Sequence, residues 1–312
     1  KRAIEKYRAQ LDYDGRPLYV AGSIGPSNYV VSSTQANLNK GTFDQIVDNF
    51  YYQVLGLIEG GADVLLIETQ QDILETKAII VGANKAFAEK KTRLPMIVQA
   101  TVDVFSKMQI FNTDIHAAYT TVSGMGIDVF GINCNVGPKE METTVEKLSR
   151  FCRHPISVVP NAGQPISEDG QTCYKLSPED MANLMEPFVR EHGVAIVGGC
   201  CGTTPAHIKA LREKLNGVIP ALRQPDEKIY VSGPQEVSAI DSSKGLLRIG
   251  ERLNVRGSKL VQEAVESEGE ISMQVLEEVV NEQVRDLGIE IIDVCMDSNV
   301  VETEDVLPKI IH

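Results

Sequence analysis

The 312-residue sequence predicts an α/β fold built on a parallel sheet, on three observations. Short apolar runs of strand length alternate with longer stretches whose apolar residues recur every three to four positions. That alternation is the pattern of β/α units, because parallel strands must be joined by a crossover. Polar and reactive residues then recur at the carboxyl ends of several runs: Ser23, Glu68 and Thr69, Thr101 to Asp103, Asn133 and Cys134, Asn161, Cys200 and Cys201. A (β/α)8 barrel builds its site from many strand ends, whereas an open doubly wound sheet collects such residues at one switch point.

A charged helical remnant at 1–11 comes first. Strands are predicted at 18–24, 63–68, 96–102, 128–134, 156–160 and 194–200, and helices fill the gaps at 43–59, 73–90, 115–125, 140–152, 178–191 and 205–215. Six β/α units fit an eight-stranded TIM barrel lacking its first two, which are expected upstream of residue 1. Periodicity fails from 216 to 244, where Pro220, Pro225, Gly233 and Pro234 punctuate a polar stretch that reads as an inter-domain connection. A second unit follows over 245–312: a strand at 246–249, a loop at 250–258, a helix at 273–287 and a strand at 290–296. So short a stretch cannot close a core of this architecture, and it reads as the start of a second barrel.

Composition narrows the function. With 43 acidic against 30 basic residues the net charge is −13, which opposes phosphate polyanions and excludes nucleic acid as a natural partner. No apolar stretch approaches the roughly 20 residues a membrane span needs, and the charged opening is no signal peptide; a cytoplasmic location is expected. Six cysteines are too few for a disulfide scaffold of this length. Cys152, Cys173 and Cys295 stand alone and read as small buried apolar residues.

Cys134, Cys200 and Cys201 are different, because each falls at a strand end. Zinc held by three protein ligands keeps a fourth position for water or substrate. A free thiol is only about 3% thiolate at pH 7, but coordination removes the proton outright. Three cysteinates leave the complex with net negative charge, so a fourth, incoming thiolate stays electron-rich enough to attack an electrophilic methyl group. Gly198 and Gly199 let the strand bend toward the metal, and Thr204 and Pro205 suit the N-cap and first position of the next helix. Read from spacing alone, the same residues also fit buried small side chains, or a redox-active adjacent pair with Cys134 unrelated.

Asn133-Cys134 at one strand end, Pro160-Asn161-Ala162-Gly163 at the next and Gly198-Gly199-Cys200-Cys201-Gly202-Thr203-Thr204-Pro205 at a third resemble, in that order, the zinc-dependent homocysteine S-methyltransferase domain. The resemblance covers residues 1 to about 215. It implies Cys134, Cys200 and Cys201 as zinc ligands and Glu68, in Leu65-Leu66-Ile67-Glu68-Thr69, as the group that takes the homocysteine amino group. Asn133 and Asn161 are candidates to orient substrate or loop backbone. His116, His154, His192 and His207 sit singly and read as surface or satisfied, partly buried side chains.

In the second unit, Gly250-Glu251-Arg252-Leu253-Asn254-Val255-Arg256-Gly257-Ser258 resembles the opening of the pterin-binding barrel of the cobalamin-dependent methionine synthase family. That implies methyltetrahydrofolate as methyl donor, a cobalamin-binding domain elsewhere that carries the methyl as methylcobalamin, and Asn254, Gly257, Ser258 and Asp293 near the pterin. The chain departs from the pattern in having no Asp-Gly-Ala-Met-Gly-Thr type strand before Leu18 and in reading Asp293-Val294-Cys295 where Asp-Val-Asn is usual. A cobalamin-independent homocysteine methyltransferase and a non-catalytic zinc or thiol-binding module are the alternatives.

Overall fold

The computed structural model describes residues 1–10, 13–32, 41–168, 170–241, 243, 245–267, 271–303, 306–307 and 310. A parallel sheet of six strands, β1 (Ala21–Ile24), β2 (Val64–Gln70), β3 (Met96–Ala100), β4 (Val129–Asn133), β5 (Ile156–Val159) and β8 (Val194–Val197), runs in that spatial order, which is also chain order. The predicted α/β class therefore holds. A helix follows every strand: α2 (Phe43–Glu59), α3 (Ile73–Lys90), α4 (Ile115–Ser123), α5 (Pro138–Phe151), α6 (Pro178–Arg190) and α7 (Pro205–Lys214), after an opening α1 (Arg2–Arg8).

Local chemistry sets these boundaries. Thr42 and Gln45 form a reciprocal capping box at the start of α2. Asp72 accepts from the Leu74 and Glu75 amides at the start of α3. Proline occupies the first turn of α5, α6 and α7, where its missing N–H costs nothing. The fully buried Ile24, Leu65, Ile67, Ile132, Ile156 and Val158 of the strands share one apolar core with Ile46, Val54, Ile79, Ile80, Val145 and Leu148 of the helices.

Two excursions leave this pattern. Between β5 and α6 the chain makes a short antiparallel hairpin, β6 (Ile166–Glu168) with β7 (Gln171–Cys173). Cys173 is thus a half-buried hairpin residue rather than a core one, whereas Cys152 is fully buried as expected. After α7, residues 216–238 belong to the first unit and are held to it by hydrogen bonds. Ala221 N–H donates to Val189 O, Asp226 N–H to Arg150 O, Asp114 N–H to Gln235 O, and the Arg223 guanidinium to Cys152 O and His154 O. The stretch ends in a strand pair, β9 (Ile229–Ser232) with β10 (Val237–Ile240).

The chain divides into two compact units, Lys1–Ser238 and Ala239–His312. The second holds a parallel pair, β11 (Ile249–Asn254) and β12 (Ile291–Cys295), with α8 (Lys259–Glu266), α9 (Met273–Asn281) and a π-helical turn at Glu282–Asp286. Two expectations change here. The strand lies at 249–254 rather than 246–249, because Gly250, Leu253 and Asn254 pair with β12 instead of looping, and the buried Gln283 side chain accepts from Arg252 N–H within the irregular register between them. The helix at Lys259–Glu266, not predicted, is capped by Ser258 and buries Val261, Ala264 and Val265 against Leu253, Leu276 and Val279. Among the described residues no helix is long and apolar enough to cross a membrane.

Candidate metal centre

The carboxyl ends of β4, β5 and β8 are adjacent, and their loops are laced together by backbone hydrogen bonds. Cys134 N–H donates to Val159 O, Asn161 N–H to Val136 O, Cys200 N–H to Pro160 O, and Ala162 N–H to Cys201 O. The Asn161 side chain, almost fully buried, accepts from Cys201 N–H at 3.1 Å. The Asn161 side chain thus holds the loop backbone at Cys201.

This lacing brings the Cys134 sulfur to those of the adjacent Cys200 and Cys201, 67 residues from Cys201 in the chain. Cys134 Sγ lies 3.7 Å from Cys201 Sγ, Cys200 Sγ lies 3.9 Å from Cys201 Sγ, and all three fall within 4.8 Å of one another. Tetrahedral zinc with sulfur at about 2.3 Å sets neighbouring sulfurs about 3.8 Å apart, so the trio fits such an ion with one position left over. Cys134 and Cys200 are half-buried and Cys201 is exposed, which leaves the site open on one side.

The backbone is bent to make it so. Cys134 and Asn135 have φ of 63° and 66°, a left-handed conformation that costs a non-glycine residue about 1–3 kcal/mol and persists only where the surroundings enforce it. Asn135 is held by its Nδ2–H donating to Val102 O. On the other strand, Gly199 has no Cβ because Thr203 occupies that space: a Cβ there would stand 2.4 Å from Thr203 Cγ2. The start of α7 is fixed by His207, nearly fully buried, whose Nδ1 accepts from Thr204 and whose Nε2–H donates to Leu176 O at 2.9 Å. His207 is thus a satisfied structural histidine, as its isolated position suggested.

Ionisation within the trio is unequal. The Cys134 thiol is held down to about 5, foremost by the hydrogen bond from Cys200, and Cys200 is pushed up because it is the donor in that bond and is partly desolvated. Burial drives Cys152 up to about 12. The thiolate is the nucleophile, and a thiol held well below the ordinary range is ionised at a pH where an ordinary thiol is almost wholly protonated. After chelation, iodoacetamide at pH 6 is therefore expected to label Cys134 at least tenfold faster than free cysteine and to leave Cys152 unlabelled. Peptide mass spectra showing Cys134 no faster than free cysteine would refute the asymmetry.

Glu68, at the end of β2, accepts a hydrogen bond from the Ser23 hydroxyl of β1 and is half-buried. The next residue, Thr69, has φ of 62°, a rare conformation for a β-branched side chain. Asn133 enforces it: fully buried, it accepts from Thr69 N–H at 2.7 Å and donates to Thr69 Oγ1 at 2.8 Å. Asn133 is thus a backbone-orienting residue that ties the Glu68 strand end to the strand bearing Cys134. No sequence signal marked that pairing.

In the second unit, Asn254 Oδ1 accepts from the Arg256 and Gly257 amides at 2.9 Å, Gly257 packs on the Asn254 side chain, and Ser258 caps α8. These three form one tight turn at the carboxyl end of β11. Asp293 is exposed on the neighbouring β12.

Residues 1–215 match the family model described as homocysteine S-methyltransferase. Among curated proteins the chain is 35% identical over 288 residues to a methionine synthase of Mycobacterium tuberculosis (strain ATCC 25618 / H37Rv), covering 92% of this chain and 23% of that protein. It is 34% identical over 284 residues to a methionine synthase of Mycobacterium leprae (strain TN), covering 89% and 23%. The chain therefore spans less than a quarter of the length of these relatives. Among solved structures, the homocysteine methyltransferase MmuM from Escherichia coli in its apo form matches with a TM-score of 0.52 at 24% identity, covering 68% of each chain. Its metallated form gives 0.50 at 24%, covering 68% of this chain and 66% of that one. These two likenesses are of fold.

Proposed function

The chain belongs to the homocysteine S-methyltransferase family, and from that premise we propose that it holds zinc on Cys134, Cys200 and Cys201 and methylates the homocysteine sulfur to give methionine. The observation that carries the reading is the spacing of the three sulfurs, 3.7 and 3.9 Å along the two measured edges, with one side open. Zinc, when bound, lowers the pKa of an incoming thiol so that it is ionised near neutrality without a general base.

The protein's own residues do the rest. Cys134, Cys200 and Cys201 would hold the ion with its remaining position on the open side of the trio, where the incoming sulfur would bind. The Glu68 carboxylate, steadied by Ser23, takes the ammonium group of the amino acid, a charge-assisted bond worth about 1.5–3 kcal/mol. In the transfer the homocysteine thiol gives up its proton to solvent, a sulfur lone pair forms the new S–CH3 bond, and the donor's bond to the methyl group breaks with its electrons left on the donor. We assign the donor as methylcobalamin on a separate domain, recharged from methyltetrahydrofolate, in a cytoplasmic enzyme.

In this reading residues 1–215 are a zinc- and homocysteine-binding (β/α)8 barrel short of its first two units, 216–244 is the connection, and 245–312 opens a pterin-binding barrel. The Asn254, Gly257 and Ser258 turn, with Asp293 on the next strand, faces the pterin. The likeness of the chain to methionine synthases over about nine-tenths of its length supports including the second unit.

X-ray absorption at the zinc edge tests the reading. Adding homocysteine to the zinc-loaded chain is expected to raise the sulfur count around the metal from three to four, with loss of one light-atom neighbour. An unchanged shell at saturating homocysteine would sink it.

A further inference from the structure

Cys134 is the member of the trio that follows β4, whereas the other two follow β8. Its neighbour Asn135 is tied twice to the connection between β3 and α4. Asn135 Nδ2–H donates to Val102 O at 2.9 Å, and Asn135 Oδ1 accepts from Gln109 Nε2–H at 3.3 Å. Because Cys134 and Asn135 both hold left-handed φ, of 63° and 66°, the aim of the Cys134 sulfur depends on whatever fixes that pair. The β3–α4 connection is itself a folded loop. Asp103 accepts from the Phe105 and Lys107 amides, Val102 bridges Met108, and the buried Ser106 hydroxyl bonds that of Thr144 in α5 at 2.9 Å.

The base of this loop is closed by the stretch after α7. Thr113, almost fully buried, donates its hydroxyl hydrogen to Pro234 O at 2.7 Å, Asp114 N–H donates to Gln235 O at 2.8 Å, and Gln235 Nε2–H donates back to Phe111 O at 3.1 Å. Pro234 and Gln235 stand just before the end of the first unit at Ser238. An unbroken run of contacts therefore leads from the connecting stretch, through the loop, to the residue beside Cys134. We propose that Gln109 is a positioning residue of the metal centre: it holds Asn135, and so the bend at Cys134, from a loop that Pro234 and Gln235 lock at its base. The inference rests on the zinc reading above and deepens it, since it makes the connecting stretch a determinant of how firmly Cys134 is held for the metal. One net hydrogen bond of this kind is worth a factor of about 2–10 in an equilibrium constant.

The test uses the full chain with Gln109→Met, which keeps the side chain's length and removes its donor, and with Thr113→Val, which keeps the shape and removes the hydroxyl. Thr113→Ser restores that hydroxyl. Gln109 is exposed, so its replacement leaves the core untouched. Zinc affinity is measured by competition with a chromophoric chelator, and cobalt(II) substitution reports the sulfur-to-metal charge-transfer band. Gln109→Met and Thr113→Val are each expected to take up one metal ion per chain with zinc affinity about three- to tenfold weaker and a displaced band, while Thr113→Ser matches the parent. The double variant is expected to lose no more than about tenfold, because both changes act on one run of contacts. A displaced band in Gln109→Met at the parent's melting temperature is a change that general loosening would not produce. Parent-like affinity and band in Gln109→Met overturn the role of Gln109 while leaving the zinc reading intact. Parent-like values in Thr113→Val, or losses that multiply in the double variant, overturn the link to the connecting stretch. Failure of the parent itself to bind zinc overturns the zinc reading and this inference together.

Discussion

Cys200→Ala is expected to take the chain from one zinc ion to almost none after dialysis, and Cys134→Ala to do the same. Structural zinc binds with roughly 10–16 kcal/mol, so one of three protein ligands accounts for roughly 3–5 kcal/mol, or two to four orders of magnitude in affinity. The geometry leaves little room for substitution from within the protein. Among the described residues these three cysteines are the only cluster of metal-ligating side chains close enough to share an ion. Cys152 lies fully buried with its sulfur turned to His154 O, so Cys152→Ala should keep the metal while losing a little stability. Elemental analysis of the variants beside the parent checks the prediction, and equal zinc in parent and Cys200→Ala would remove the basis of the proposed chemistry.

The loss follows from residue types that could be read before any fold was known. The three thiols were legible because each ends an apolar run, and strand ends in β/α folds converge. Helices α2 and α3 were legible to the residue from apolar spacing of three to four, and the structure shows Thr42 with Gln45 and Asp72 capping their starts. What stayed hidden depends on contacts between distant segments. The β6 and β7 strands have three residues each, mostly exposed, so no apolar alternation announces them. Gly250, Glu251 and Arg252 look like loop residues, and only pairing with β12 and the Gln283 side chain make them a strand.

The same holds inside the site. Left-handed Thr69 and Cys134 have no sequence signature, because neither residue favours that conformation by itself. Their backbone is set by Asn133 in one case and by the ladder to Val159 in the other. Asn133 and Asn161 are buried amides that place the backbone around them, and their hydrogen bonds to Thr69 and to Cys201 N–H join segments far apart in the chain. Gln109 carried no motif, and only its contact with Asn135 marks it.

Asp72 illustrates the point at its largest. Its removal as an N-cap of α3 alone would cost about 0.5–2 kcal/mol. In the fold it is fully buried and also accepts from Val31 N–H at 3.1 Å, Ser32 N–H at 2.9 Å and the Ser32 hydroxyl, binding the segment after β1 across 40 residues. Its neighbour Glu75 does the same for Ser27 N–H at 2.7 Å, and burial raises the Glu75 pKa. Asp72→Ala would leave several partly buried donors without their acceptor, each at roughly 1–3 kcal/mol, so a loss of roughly 3–5 kcal/mol is expected, combining cap and clamp. For a unit of this size that lowers the melting temperature by about 10 °C. Asp72→Asn, which keeps one acceptor oxygen but turns an NH2 toward the amides, should fall between the two. If calorimetry finds Asp72→Ala within 2 kcal/mol of the parent, Asp72 is a helix cap and nothing more, and the segment after β1 is held by other contacts.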